Sequence, residues 1–328
     1  MKRVSIRDVA KLAGVSPAAV SRYINSSGYL SAESRRRIRQ AIQELDYTPN
    51  ELARNLYNNK SGVIAVLVPD SGHPFFSEFV REAESVLQRS GYRVLLCNTY
   101  RARDEDERQF FDMLKRRMVD GIITGVHTLD NVLEYAEMTQ PIVALDRQLG
   151  DQPLVASNHP MSGMLAAKRL LDRGCRKVLQ FHGSPLVSTP AFERSTAFAS
   201  YMRVNGAEVI DWPMEWNDFT FDCFQKNAWQ ACDAHPDVDG AFGTDLSIAC
   251  FLQRALMMGR RVPEDLKLVA CDGTGLTRIT TPRLTVVSQP IHRLAEEATG
   301  LLLRRIAGED LRGTKLILDV TLEEGGTA

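Results

Sequence analysis

Ser16–Asn25 reads SPAAVSRYIN, and these ten residues decide how the first part of the chain folds. Ser16 is a natural helix N-cap, and Pro17 takes the first helical position, where its missing N–H costs nothing. Ala19, Val20 and Ile24 recur at the spacing of one helical face, which leaves Ala18, Ser21, Arg22 and Asn25 on the other. Upstream, Ser5 stands three residues before Asp8, a capping-box spacing, and Ile6, Val9, Ala10 and Ala13 line one face of an earlier helix. Gly14, between the two helices, allows the left-handed conformation of a tight turn. Helices joined by three or four residues have helix-turn-helix spacing, in which the start of the second helix meets base edges in a DNA major groove.

Charge points the same way. The 328 residues carry a net charge of −1, but residues 1–60 hold eleven Lys or Arg against five Asp or Glu, a net of +6, and the remainder carries −7. A basic head on an acidic body implies that the head alone meets a polyanion. Arg22 offers the planar fork that matches guanine O6 and N7. Pro17 and Ala18 are small and apolar and suit a thymine methyl, while Ser16, Ser21 and Asn25 are short donors fit for phosphates. The alternative, a plain helical hairpin with a solvated face, sits poorly with the charge and with the small outward residues.

A third helix is expected over Ala32–Leu45, capped by Ser31, with Ile38, Ile42 and Leu45 as its core stripe. Arg35, Arg36, Arg37 and Arg39 cannot all face one way. Asn50–Asn58 is a further short helical pattern, with Asn50 as cap and Leu52, Ala53 and Leu56 on one side. Nine residues make a marginal helix alone in water. Two readings fit: Leu52 and Leu56 pack on the body, or the segment forms on DNA beside its copy from a second subunit, with Leu56 as a wedge between base steps.

From Val63 onward short apolar runs alternate with helical patterns. Ten strands are expected, at Val63–Val68, Val94–Cys97, Gly121–Thr124, Ile142–Asp146, Val155–Asn158, Val178–His182, Glu208–Trp212, Ala241–Gly243, Leu268–Asp272 and Leu284–Val287. The alternation implies parallel sheets wrapped by helices, and ten strands suit two lobes better than one. Such sheets bind ligands beyond the carboxyl ends of their strands. Phe75 and Phe76 follow the first strand there, Asp146 ends the fourth, Asp245 and Asp272 follow two later ones, and Gln289 follows the last. Arg194 and Phe219 come from the starts of later helices. Carboxylates, an Arg and an amide beside flat rings can bond sugar hydroxyls and stack on C–H faces. Each also has a plainer role: a strand-end Asp often caps the next helix, and Phe75 and Phe76 could be ordinary core. His73, His127 and His182 sit in loops or at strand ends, where histidines are usually satisfied polar groups.

Ile6–Asn25 (IRDVAKLAGVSPAAVSRYIN) followed by Tyr47–Leu56 (YTPNELARNL) resembles, without a gap, the headpiece and hinge of the lactose-repressor/galactose-repressor (LacI/GalR) family. The resemblance implies a small all-α helix-turn-helix headpiece plus an α/β two-lobed, periplasmic-binding-protein-like sensor. It implies a DNA-binding set that adds Ser31, Asn50 and Ala53 to the recognition-helix residues, with Leu56 as the minor-groove wedge. It also implies an effector site at Phe75/Phe76, Asp146, Arg194, Phe219, Asp245, Asp272 and Gln289. The family often has Asn-Asp where this chain has Thr244-Asp245, which puts Thr244 in doubt as a ligand contact. Gly28–Ser31 (GYLS), Asp120–His127 (DGIITGVH) and Cys271–Thr274 (CDGT) look most like sucrose-operon repressors, which suggests sucrose or a fructose-containing sugar, free or phosphorylated.

The organisation expected is a head at 1–60, with its hinge at about 50–58, and an effector-binding and dimerisation domain at 61–328. The lobes of that domain are about 61–160 with 290–318, and 161–289 with 319–328. No nucleotide, metalloprotease, zinc or serine-hydrolase motif occurs, so the chain does not read as an enzyme and no cofactor is expected. The six cysteines show no C-x-x-C pair and read as buried thiols. No apolar run nears the ~18 residues of a membrane span and no signal peptide is visible, so the expected location is the cytoplasm. The expected function is sugar-controlled repression by a homodimer on operator DNA. The rivals are a co-repressor-dependent regulator, and a sugar-binding protein or enzyme with an incidental DNA-binding head.

Overall fold

The computed structural model describes residues 4–25, 27–48, 60–99, 104–125, 138–183, 190–215 and 218–328. They fall into two compact units, Met1–Ser61 and Gly62–Ala328.

Among the described residues the first unit holds three helices, α1 (Ile6–Ala13), α2 (Pro17–Ile24) and α3 (Ala32–Glu44). Local chemistry sets their ends. At α1 the Asp8 N–H reaches Ser5 Oγ (3.4 Å) and the Ser5 N–H reaches Asp8 Oδ2 (2.9 Å), so two backbone donors that the helix cannot satisfy find side-chain partners. Gly14 ends α1 at φ 61°, and the Val15 N–H returns to the Ala10 carbonyl (3.1 Å). That left-handed turn sends the chain into Ser16, whose Oγ accepts from the Ala19 N–H (3.2 Å). Ser31 caps α3 in the same way. Val9, Ala10, Ala13, Val20, Ile38 and Ala41 form the buried core, closed at its rim by Ile6, Ile24, Leu30, Ile42, Leu45 and Tyr47. A core of this size suits short helices that gain most of their stability from packing rather than propensity.

The second unit contains two six-stranded sheets. The first has the order β11-β5-β4-β3-β1-β2, from β1 (Val63–Val68), β2 (Arg93–Asn98), β3 (Gly121–Thr124), β4 (Ile142–Leu145), β5 (Leu154–Ser157) and β11 (Lys315–Leu318). The second has the order β12-β10-β9-β8-β6-β7, from β6 (Lys177–His182), β7 (Glu208–Pro213), β8 (Gly240–Thr244), β9 (Lys267–Asp272), β10 (Thr285–Ser288) and β12 (Thr321–Glu323). All pairings are parallel except β10 with β12. Central strands such as VIAVLV in β1 are apolar throughout because helices cover both faces. On the first sheet these are α4 (Pro74–Arg89) and α11 (Ile291–Ile306) on one side and α5 (Asp104–Lys115) on the other. On the second they are α8 (Phe221–Ala234) and α9 (Asp245–Met257) opposite α6 (His159–Asp172) and α7 (Pro190–Val204), with the short α10 (Leu276–Ile279) after β9.

Two strands escape the sequence pattern. Both lie at sheet edges and are short: β11 offers only the three-residue apolar run Leu316–Leu318, and β12 the single apolar residue Leu322. The chain therefore crosses between the sheets three times: through α6, between β10 and α11, and between β11 and β12. All six cysteines are free and buried. Burial pushes the thiols of Cys97 and Cys250 up to about 11 and that of Cys175 up to about 12, so they rest protonated as apolar filling. Among the described residues no helix is long and apolar enough to cross a membrane.

Candidate DNA-reading face and interlobe cleft

On the head, Ser16, Pro17, Ala18, Arg22 and Asn25 are exposed and Ser21 is half-buried. Several of these polar groups already serve the fold. Ser16 and Ser31 are caps, and Asn25 Nδ2 donates to Ser21 Oγ (3.3 Å). A capping hydroxyl still has its own hydrogen to give, so capping and phosphate contact are compatible. Arg22 is an exposed long donor of this helix with no side-chain hydrogen bond among the described residues. Its stem runs past Gly28, at φ 69°, where an added Cβ would lie 3.1 Å from Arg22 Cδ. Asn50, Ala53 and Leu56 lie outside the described residues, as does His127.

In the body, the strand ends named from sequence converge. Asp245 opens α9, and its Oδ2 accepts from the Thr274 N–H (2.7 Å) and hydroxyl (2.8 Å). Asp272 ends β9. Its Oδ1 accepts from Gln289 Nε2 (2.7 Å) and lies 3.6 Å from Arg194 Nη1. Burial opposes the charge on Arg194, but Cys271, Asp272, Asp146 and Asp245 together hold the guanidinium above its ordinary pKa. Carboxylates of both lobes thus act on one buried cation. Burial, and next the charge on Asp272, push the Asp245 carboxyl well above the usual range. Two of these aspartates have unusual backbones, Asp146 at φ 59° and Asp272 at φ 133°. Gly273 follows Asp272 at φ 82° because a Cβ there would lie 2.0 Å from Ser288 Oγ. Strain held at two strand ends is typical of a ligand site.

The two adjacent phenylalanines divide. Phe75 is packed into the first-lobe core with Phe79 and Leu294. Successive helical residues point about 100° apart, so only one of the pair can face the cleft. That one is Phe76, which meets Phe219 of the second lobe edge-on at 6.1 Å. Thr244 caps α9, accepting from the Ser247 N–H (3.4 Å), which gives it a structural role.

Sequence reasoning passed over two residues here. His73 is buried, caps the start of α4 and touches Phe76 (5.6 Å), Phe219 (6.0 Å) and Phe224 (5.6 Å), bridging the lobes. Burial holds its imidazole below the usual histidine range; Asp272 opposes this and Arg194 adds to it. Its signal was the H-P-F-F spacing, which puts it one turn from Phe76. Glu78 accepts from the Gly275 N–H (2.7 Å), a direct bond from first lobe to second. The bridging roles themselves show in no pattern, because the partners of His73 lie about 150 residues on and that of Glu78 about 200.

Three buried polar atoms in this cluster have no partner: His73 Nδ1, Asp245 Oδ1 and Gln289 Oε1. Each such atom costs about 1–3 kcal/mol unless a ligand or water satisfies it. Elsewhere among the described residues, Glu215, Asp218 and Cys223 bring three donor atoms within 4.8 Å. Burial and the two carboxylates raise the Cys223 thiol, and Asp218 already accepts from Thr220, which makes this a poor metal cradle.

Comparison with known proteins adds an independent line. Residues 5–50 match the family described as bacterial regulatory proteins, lacI family, and residues 167–328 match the periplasmic binding protein-like domain. The chain is 40% identical to a ribose operon repressor of Halalkalibacterium halodurans, over 98% of each chain. It is 36% identical to a sucrose operon repressor of Pediococcus pentosaceus, over 98% of this chain and 99% of the relative. Its fold matches that of a lac repressor dimer solved with operator and the anti-inducer ONPF, at TM-score 0.87 and 24% identity over 99% of both chains.

Proposed function

The chain belongs to the LacI family of bacterial regulatory proteins, and from that membership we propose that it is a homodimeric, DNA-binding repressor of a sugar-utilisation operon. It is a regulator and not an enzyme. Its effector is a small sugar held between the lobes by Asp146, Arg194, Asp245, Asp272, Gln289 and His73, with Phe76 and Phe219 against the ring. The observation that carries this reading is the trio of buried atoms on His73, Asp245 and Gln289 without a partner among the described residues, with His73 against both rings. Sugar hydroxyls donate and accept at once, so one polyol satisfies all three.

Sucrose or a fructose-containing sugar is the candidate from the sequence, and the two relatives are named for ribose and sucrose operons. Ribose in its furanose form and the fructosyl half of sucrose share a five-membered ring, and we assign the site to a furanose. Calorimetry with D-ribose, sucrose, D-fructose and D-glucose tests this. A furanose-forming sugar is expected to bind at least about tenfold more tightly than D-glucose, a difference of about 1.4 kcal/mol. D-glucose binding best would overturn the assignment.

The domain reading follows as part of the proposal: a head at 1–60, and an effector-binding and dimerisation body at 61–328. Sugar seated between the lobes favours a lobe arrangement in which the 50–58 segment cannot seat both heads on DNA, and linkage then lowers operator affinity. Arg22 is the proposed base reader. Arg22→Ala is expected to weaken operator binding about tenfold or more and to relax preference at one base pair, read by fluorescence anisotropy on single-base operator variants. Unchanged affinity and preference would move base reading to another residue.

A further inference from the structure

Asp146 reaches the cleft from the end of β4, on a backbone at φ 59° that a non-glycine residue keeps only when its surroundings hold it. Two donors do so. The Ser157 N–H bonds Asp146 Oδ1 at 3.1 Å, and His159 Nε2 lies 3.0 Å from the same oxygen. Both take Oδ1, which leaves Oδ2 with no hydrogen bond among the described residues. His159 is 4% exposed, so this contact is shielded from water. Its other nitrogen, Nδ1, is buried without a partner. The tautomer with the proton on Nε2 fits both facts: the carboxylate receives a donor, and no N–H is stranded.

The place of His159 in the chain matters as much as its bond. It is the first residue of α6, the helix that carries the chain from the first sheet to the second. Four residues on, Gly163 lies against the backbone of α7 at Arg194. One helix thus touches the first-lobe carboxylate at its start and, one turn later, the backbone of the residue that carries the second-lobe cation.

We propose that His159 is a positioning residue for the sugar site: its Nε2–H fixes the Asp146 carboxylate so that Oδ2 is free for a sugar hydroxyl, and it ties that orientation to the crossover helix α6. This rests on the sugar-cleft reading above. Asp146 makes the contact, and His159 acts only through it.

The test has two arms. In full-length protein labelled with [15N]histidine, the His159 ring nitrogens, assigned by their loss in His159→Gln, are expected to show one fixed tautomer protonated at Nε2. Asp146→Ala is expected to collapse that pattern to a tautomer average. An averaged pattern in the unmutated protein overturns the proposal whatever sugar binds. In the second arm D-ribose is titrated by calorimetry. His159→Leu is expected to bind about tenfold more weakly, the loss of one hydrogen bond to a charged group. His159→Gln, whose amide can donate to the same oxygen, is expected to recover most of that loss. Adding His159→Leu to Asp146→Ala is expected to cost nothing more. Equal losses in Leu and Gln, or additive losses in the double variant, overturn the proposal. If D-ribose does not bind, the arm is run with sucrose or D-fructose; unmutated protein that ignores all three counts against the furanose assignment, and the first arm still decides the role of His159.

Discussion

Arg194→Met is expected to lower folding stability by about 3–5 kcal/mol, the cost of leaving a buried ion pair half-broken. Arg194 lies 3.6 Å from Asp272, and both are buried. Asp146 and Asp245 also act on its charge. Methionine fills similar volume but leaves these carboxylates facing one another in a poorly solvated space. Asp272 keeps its bond from Gln289 Nε2, yet one neutral donor cannot replace a cation. The unfolding midpoint is expected to fall by roughly 10 °C, at about 2–4 °C per kcal/mol for a domain of this size. Sugar is expected no longer to raise it, since a ligand stabilises only the state that binds it. A midpoint within about 2 °C of the unmutated protein would show that the carboxylates are compensated by other means.

Gly163→Ala is expected to be a costly single methyl at the contact between α6 and α7. A Cβ at Gly163 would lie 2.1 Å from the Arg194 carbonyl oxygen and 2.8 Å from the Phe198 amide nitrogen. Both are backbone atoms inside α7, so no rotamer change relieves the overlap and the two helices must separate. Overpacking of this kind costs about 3 kcal/mol. The displaced helix carries Arg194, so weakened sugar binding is expected alongside the lower midpoint. Gly300 on α11, where an added Cβ meets nothing within 4 Å, supplies the control. Gly300→Ala is expected to be neutral or mildly stabilising, as alanine is the better helix former. Equal midpoints for the two variants would contradict the close approach of α6 and α7.

The difference between these glycines cannot be read from the sequence, because each owes its environment to a helix distant in the chain. The head was legible because its determinants are local. Ser5 with Asp8, Gly14, Ser16-Pro17 and Ser31 act within four residues of themselves, and capping chemistry has few alternatives. The long apolar strands were legible because a parallel sheet buried on both faces leaves a continuous apolar run. β11 and β12 were missed because the first offers only the three-residue run Leu316–Leu318 and the second a single apolar residue, Leu322. In the cleft, the strand-end aspartates could be found because parallel sheets gather ligands at that edge. Which of Phe75 and Phe76 faces inward depends on the rotation of α4, which packing against α11 sets. The roles of His73, Glu78 and His159 depend on contacts between lobes or across the crossover, for which a linear pattern carries no mark.

In the proposed mechanism one small sugar in the interlobe cleft controls whether the basic head holds DNA. The most direct test is anisotropy with full-length protein and an operator duplex that the protein itself selects from a random pool, titrated at fixed salt because phosphate contacts make affinity salt-dependent. The titrant is whichever of D-ribose, sucrose and D-fructose binds by calorimetry. Saturating sugar is expected to weaken operator binding by about tenfold or more, a coupling of about 1–3 kcal/mol, and Arg194→Met protein is expected to hold the duplex without responding. Operator affinity that stays unchanged or tightens at saturating sugar would contradict the account.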